Sequence, residues 1–228
     1  MFMLIALEGI DGSGKGTQAK ALADGLAKSG QAVDLLSFPN YTTTFFGHEV
    51  GRYLNGEFGG LDSVPIEFAA LLYAGDRLEL RERIANDLRT GTVVVCDRYT
   101  PSNLAHQAGK VTGEDRLRRI AWIEKLEYEV FHLPQPDLVF WLDMPVSQAM
   151  ALVAKKSARA YTTATYDLHE ASRTYLTGVR DVYADLATRP SWITIACQAP
   201  AQTAPRAIEA ITTEILAQVR ARLATTRS

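Results

Sequence analysis

The densest chemistry in the chain lies in Glu8-Gly9-Ile10-Asp11-Gly12-Ser13-Gly14-Lys15-Gly16-Thr17. Gly9, Gly12 and Gly14 let the backbone turn tightly and approach a ligand with no side chain in the way. The backbone N–H groups from Gly9 to Thr17, including those of Ser13 and Gly16, would then cradle an anion at the positive end of a following helix. Lys15 adds a mobile point charge for the outer phosphates of a nucleotide. The run fits G-x-x-x-x-G-K-[ST] except at its last position, where Gly16 stands and the hydroxyl comes one residue later, at Thr17.

Two further groupings carry chemistry. Asp97-Arg98 follows the apolar run Val93-Val94-Val95-Cys96. A carboxylate at such a strand end suits Mg²⁺, which keeps several waters and needs few protein oxygens; Asp97 and Thr17 are the expected donors, partly through water. Asp97 also reads as a simple cap on the next element. Arg98 suits bidentate phosphate recognition, or a structural ion pair. Tyr73 and Arg77 stand at i and i+4, on one helical face. Together they could stack a base and hydrogen-bond its edge. A core tyrosine beside a solvated arginine fits the periodicity as well.

These residues need elements to hold them. Unbroken apolar runs predict strands at Met3–Leu7, 32–38, 92–96, Leu138–Leu142 and Trp192–Ala196. Helical spacing predicts helices over 15–28, one long helix over 65–89, and others over 102–108, 114–131, 146–156, 166–187 and 204–223. Strands alternating with helices predict an α/β fold, a five-stranded parallel sheet with helices on both faces. In such a sheet, ligands bind where the strand ends converge. The polar stretch over 157–168 is the expected lid of one 228-residue domain.

Composition narrows the class. A hydrophobic fraction of 47% with 22% charged residues is that of a globular protein. The net charge of −2 gives no basic field for nucleic acid. No apolar run approaches the ~20 residues of a membrane span, and the apolar start is too short for a signal peptide. The two cysteines, Cys96 and Cys197, sit in apolar surroundings and predict buried thiols in a cytoplasmic protein.

Spread over much of the chain, the motifs resemble those of the thymidylate kinases, within the nucleoside monophosphate kinases. The resemblance rests on the loop from Glu8 to Lys15 and on Phe38-Pro39 before a Thr-rich loop. It continues through Leu71-Leu72-Tyr73-Ala74-Gly75-Asp76-Arg77 and Asp97-Arg98-Tyr99-x-x-Ser102-Asn103-x-Ala105-x-Gln107. Pro136-Asp137, Leu142-Asp143 and Asp167-x-x-Glu170 complete it. It implies the reaction ATP + dTMP → ADP + dTDP, with Mg²⁺, in a homodimer. Lys15 and the loop amides would bind the ATP phosphates. Asp11 would sit by the acceptor sugar and the metal, and Arg98 would hold the acceptor phosphate. Tyr73 would stack on thymine and Arg77 would bond its edge. Ser102 and Asn103 would face the base, with Tyr41, His106 and Gln107 on the same side. Phe38-Pro39 would close the pocket by the 5-methyl group through a cis peptide.

The chain departs from the family pattern in four places. Asn40-Tyr41-Thr42 replaces an arginine common after Phe-Pro. His106 stands where Tyr or Phe is commoner. Gly16-Thr17 resembles adenylate kinases more than thymidylate kinases. Gly12 stands where one subgroup carries a loop arginine, which makes the lid residue Arg159, near Lys155 and Lys156, the expected catalytic arginine. The competing readings are a kinase for dUMP or UMP/CMP and a nucleotide-binding protein with weak transfer. A GTPase switch is disfavoured by the lack of an Asn-Lys-x-Asp motif.

Overall fold

The computed structural model describes residues 3–60, 63–154, 173–199 and 204–225. Its centre is a parallel sheet ordered β2-β3-β1-β4-β5, built from β1 (Met3–Glu8), β2 (Val33–Ser37), β3 (Val93–Asp97), β4 (Leu138–Asp143) and β5 (Trp192–Ala196). β1 is buried throughout, and its alternating side chains enter two different cores. Met3, Ile5 and Leu7 pack with Leu22 and Leu26 of α1 (Lys15–Lys28). Leu4 and Ala6 pack on the opposite side with Leu36, Val94 and Ile84. Both faces are therefore covered, the arrangement an unbroken apolar strand requires.

The chain between β2 and β3 forms α2 (Phe45–Leu54), α3 (Ile66–Glu79) and α4 (Arg81–Arg89). Val50, Tyr53, Leu54, Ala69 and Leu72 make a third small core there. The long helix predicted over 65–89 is two helices. The break falls at Leu80, whose N–H bonds back to the Arg77 carbonyl, a tighter turn than an α-helix makes.

After β3 come α5 (Thr100–Ala108) and α6 (Gly113–Glu124), which runs on as a π-helical turn over Lys125–Val130. The helix predicted over 114–131 is thus continuous but changes pitch. The wider turn closes through Phe131 N–H to the Leu126 carbonyl, and it turns Glu127 fully into the interior. The remaining helices are α7 (Val146–Ala154), α8 (Arg173–Leu186) and α9 (Ile208–Thr225). The last begins at Ile208 rather than at 204. None of the described helices is long and apolar enough to cross a membrane. Cys96 and Cys197 are both buried free thiols.

Candidate active site

The sheet register brings the reactive segments together. Leu7 of β1 pairs with Asp97 of β3, and Ser37 of β2 pairs with the same Asp97. Beyond the strands, Arg98 N–H donates to the Leu7 carbonyl and Phe38 N–H to the Asp97 carbonyl. The glycine loop, Asp97-Arg98 and Phe38-Pro39 therefore emerge side by side at one rim. The Phe38-Pro39 peptide is cis, as expected.

Within the loop, Gly12 and Gly14 adopt positive φ of 86° and 90°. A Cβ at Gly12 would overlap the backbone of Ala149 in α7, so no side chain, arginine included, fits there without moving that helix. This gives a physical reason for the glycine. Gly16 is set by a different neighbour: a Cβ there would lie 2.8 Å from Asp97 Oδ2. The carboxylate occupies the space beside Gly16, and exposed Thr17 follows directly. One carboxylate beside Gly16, with the Thr17 hydroxyl on the next residue, suits a hard cation that keeps most of its waters, so the pair fits Mg²⁺.

Lys15 is buried, with Nζ donating to the Ile10 carbonyl at 2.9 Å. Burial pushes its pKa down to about 8; Arg98 acts in the same direction, and Asp11, Asp97 and Glu8 oppose it. Ser13 is buried with no partner for its hydroxyl among the described residues.

Arg98 is the junction. Its φ of 67° is in the left-handed region, uncommon for a side chain of this size and a mark of functional geometry. Nη2 donates to Asp11 Oδ1 at 2.5 Å, while Nη1 reaches Ser102 Oγ at 3.1 Å and His106 Nε2 at 3.1 Å. The ion pair that the sequence left as the alternative to phosphate recognition exists, and it lies inside the site. Burial works against the guanidinium charge, but Asp11, Tyr183, Asp97 and Glu8 together outweigh it and hold the group well above its ordinary range. Because Arg98 can only donate, His106 must present Nε2 as an acceptor. Its Nδ1 then faces the Tyr175 hydroxyl at 2.8 Å.

Beneath Arg98 lies Glu8, wholly buried. It accepts from Tyr99 N–H at 2.7 Å, from Ser102 Oγ at 2.5 Å and from the Tyr183 hydroxyl at 2.9 Å. Burial raises its pKa, with these hydrogen bonds and Arg98 opposing the rise. Sequence reasoning placed Glu8 in the motif and at a strand end on the ligand rim, but missed this role. Its one signal was an acid ending an otherwise apolar strand.

A cavity of about 290 Å³ opens from this junction. Asp11, Phe38, Pro39, Tyr41, Tyr73, Arg77, Asp97, Arg98, Ser102, Asn103, His106 and Gln107 all line it, so every residue expected on the acceptor side is present. Ser37 and Leu54 complete the wall and were not anticipated. Tyr73 meets Tyr53 edge to face, with centroids 6.4 Å apart. Arg77 is not the solvated arginine that periodicity allowed. It is buried, and its Nε and Nη2 each donate to Glu127 at 2.6 Å. Burial opposes its charge and Glu127 overrides that, raising its pKa. Asp76 anchors the loop that departs from the family pattern, accepting from Asn40 N–H at 2.8 Å and from the Thr44 hydroxyl. Arg159 and the lid stretch lie outside the described residues.

A family model described as thymidylate kinase matches residues 7–208. A probable thymidylate kinase from Thermococcus onnurineus is 38% identical over 162 residues, covering 69% of this chain and 74% of the relative. The thymidylate kinase of Mycobacterium tuberculosis is 35% identical over 135 residues, 59% of this chain and 63% of the relative. The human thymidylate kinase is 32% identical over 146 residues, covering 64% and 63%. Among solved structures, thymidylate kinase from Candida albicans superposes with a TM-score of 0.74 at 22% identity, over 96% of this chain and 92% of that one, which shows a shared fold. With a match running from the phosphate loop to the start of the last helix, the chain belongs to the thymidylate kinase family.

Proposed function

We infer that the protein transfers the γ-phosphoryl group of ATP to dTMP, yielding dTDP and ADP. The observation that carries this reading is the Asp11–Arg98 junction, which joins a phosphate loop to a cavity lined by Tyr73, Arg77 and Asn103. The attacking group is a phosphate oxygen, already anionic at neutral pH, so no general base is needed. Catalysis reduces to holding two polyanions in line and neutralising the charge between them. Lys15 and the loop amides hold the donor phosphates. Arg98, drawn from Asp11, holds the acceptor phosphate. Asp97, with Thr17, would hold Mg²⁺, which when bound supplies charge neutralisation at the phosphates. Arg77 and Asn103 take the base edge while Tyr73 lies against its face. The stretch over 157–168, carrying Arg159, serves as the lid of a single domain; closure excludes water that would otherwise hydrolyse ATP.

Two exposed apolar sets support a homodimer: Phe68 and Leu71 on α3, and Leu117 and Trp122 on α6. An Arg119–Glu67 ion pair sets these two helices side by side. Two buried, unpaired thiols suit the reducing cytoplasm.

The test is product formation from ATP·Mg²⁺ with a panel of dTMP, dUMP, UMP and CMP. A clear preference for a non-thymine nucleotide, or tight binding of ATP and dTMP without dTDP formation, overturns the assignment. Arg98→Ala is expected to lower transfer on the order of 10³-fold, by analogy with arginine fingers, while ATP affinity stays within a few-fold. An equal collapse of ATP affinity would make Arg98 a donor-side residue.

A further inference from the structure

The two terminal nitrogens of Arg98 are held in different ways. Nη2 has a charged partner, Asp11, at 2.5 Å. Nη1 has neutral partners, Ser102 Oγ and His106 Nε2, each at 3.1 Å, with the Gly9 carbonyl farther off at 3.4 Å. A guanidinium only donates, so the two protons of Nη1 fix the direction of what lies behind them. Ser102 accepts from Arg98 and passes its own proton to Glu8 Oε2 at 2.5 Å. His106 accepts at Nε2 and is therefore protonated at Nδ1, which donates to the Tyr175 hydroxyl at 2.8 Å. The Tyr175 hydroxyl in turn donates to the His106 carbonyl at 3.3 Å.

The imidazole is gripped by α8. Its ring lies 5.9 Å from that of Tyr175 and meets Tyr183 edge to face at 6.5 Å. The close approach of α8 to the end of α5 depends on two glycines. A Cβ at Gly178 would lie 2.5 Å from the Gly109 carbonyl, and one at Gly109 would lie 2.8 Å from the Val179 nitrogen. Tyr175 is buried, whereas Asp11, Arg98 and His106 line the cavity. An anion entering the cavity therefore competes with Asp11 for Nη2. It does not compete for the charge of Nη1, whose partners carry none.

We propose that His106 and Tyr175 are positioning residues that tether one end of Arg98 while its other end passes from Asp11 to the acceptor phosphate. The proposal rests on the nucleotide kinase reading above. His106 holds Nη1 through a neutral acceptor, and Tyr175 fixes the tautomer that provides it. The guanidinium then turns about a fixed end, and Nη2 exchanges one anion for another. Without the tether the ion pair to Asp11 becomes a competitor: the arginine can follow the carboxylate and leave the phosphate unmet. Positioning of this kind acts on the acceptor, so the donor nucleotide on the phosphate loop does not sense it.

The experiment measures kcat/KM for dTMP and KM for ATP in the wild type, His106→Leu, His106→Gln, Tyr175→Phe and the double variant His106→Leu/Tyr175→Phe. Leucine removes the acceptor, and kcat/KM for dTMP is expected to fall about tenfold while KM for ATP stays within about twofold. Glutamine carries an amide oxygen near the place of Nε2 and is expected to recover most of that loss. Tyr175→Phe is expected to cost about threefold by itself and nothing further in the double variant, because Tyr175 acts through the imidazole. The tether is overturned, and the thymidylate reading stands, if His106→Leu leaves kcat/KM unchanged, if glutamine does no better than leucine, or if the two single losses multiply in the double variant. A wild type that forms no dTDP removes the reading beneath it instead. Should His106→Leu not fold, Tyr175→Phe decides, and an unchanged kcat/KM overturns the proposal.

Discussion

Lys15 is the residue whose burial works most plainly against the fold. A lysine held at about 8 instead of 10.5 places roughly 3 kcal/mol against the folded state while it is charged. The unfolded chain keeps its proton up to the higher value and the folded chain releases it at the lower one. Stability attributable to Lys15 therefore rises as pH climbs from 8 to 10.5. Lys15→Met should melt several degrees above the wild type at pH 7, with the gap closing across that window, while losing nearly all transfer. A melting point unchanged at pH 7 would mean that the Ile10 carbonyl offsets the burial in full. Binding a polyanion favours the charged lysine, so ATP should be taken up together with protons near pH 8. Calorimetry in buffers of different ionisation enthalpy reads that uptake directly.

The elements explain why the loop has its sequence. Gly12 is set by α7 and Gly16 by the end of β3, so each glycine answers to a different neighbour. Gly16→Ala places a methyl group against the Asp97 carboxylate and must displace it. Expected are a rise of about tenfold or more in the Mg²⁺ concentration for half-maximal rate and little change in dTMP KM. An unchanged Mg²⁺ requirement would dissociate Asp97 from the metal. The π-helical turn after α6 matters in the same way. With one residue more per turn than an α-helix, it places Glu127 among Arg77, Thr100 and Asn103, whereas the neighbouring Glu129 and Val130 stay exposed.

Across the whole molecule, the site is a meeting of three strand-end segments with a helical layer that carries the base wall, and that layer exposes Phe68, Leu71, Leu117 and Trp122. Leu71→Glu on α3 should convert the expected dimer to monomer in sedimentation at micromolar concentration, with the fold intact by circular dichroism. A wild type that sediments as a monomer would remove the homodimer. In the folded chain Leu71 is exposed, so the substitution creates no cavity and buries no charge within the protomer.

Much of this protein was already written in local pattern. The phosphate loop, the strand-end acid and arginine and all five strands follow from motif spacing and apolar periodicity, because those signals depend on neighbours in sequence; the acceptor-side residues came from the resemblance to a known family. The break at Leu80 and the change of pitch at Lys125 did not, since a helical repeat looks much the same on either side of a turn that tightens or widens. Nor could Glu127 be found: in Lys125-Leu126-Glu127-Tyr128-Glu129 it reads as one more solvated charge. Tertiary structure alone brought Glu8 to Ser102 and Tyr183, Glu127 to Arg77 and Asn103, and Asp97 to Gly16. Buried acids choose partners across the fold by which donors lack one. That choice exists only once the chain has closed and water is gone.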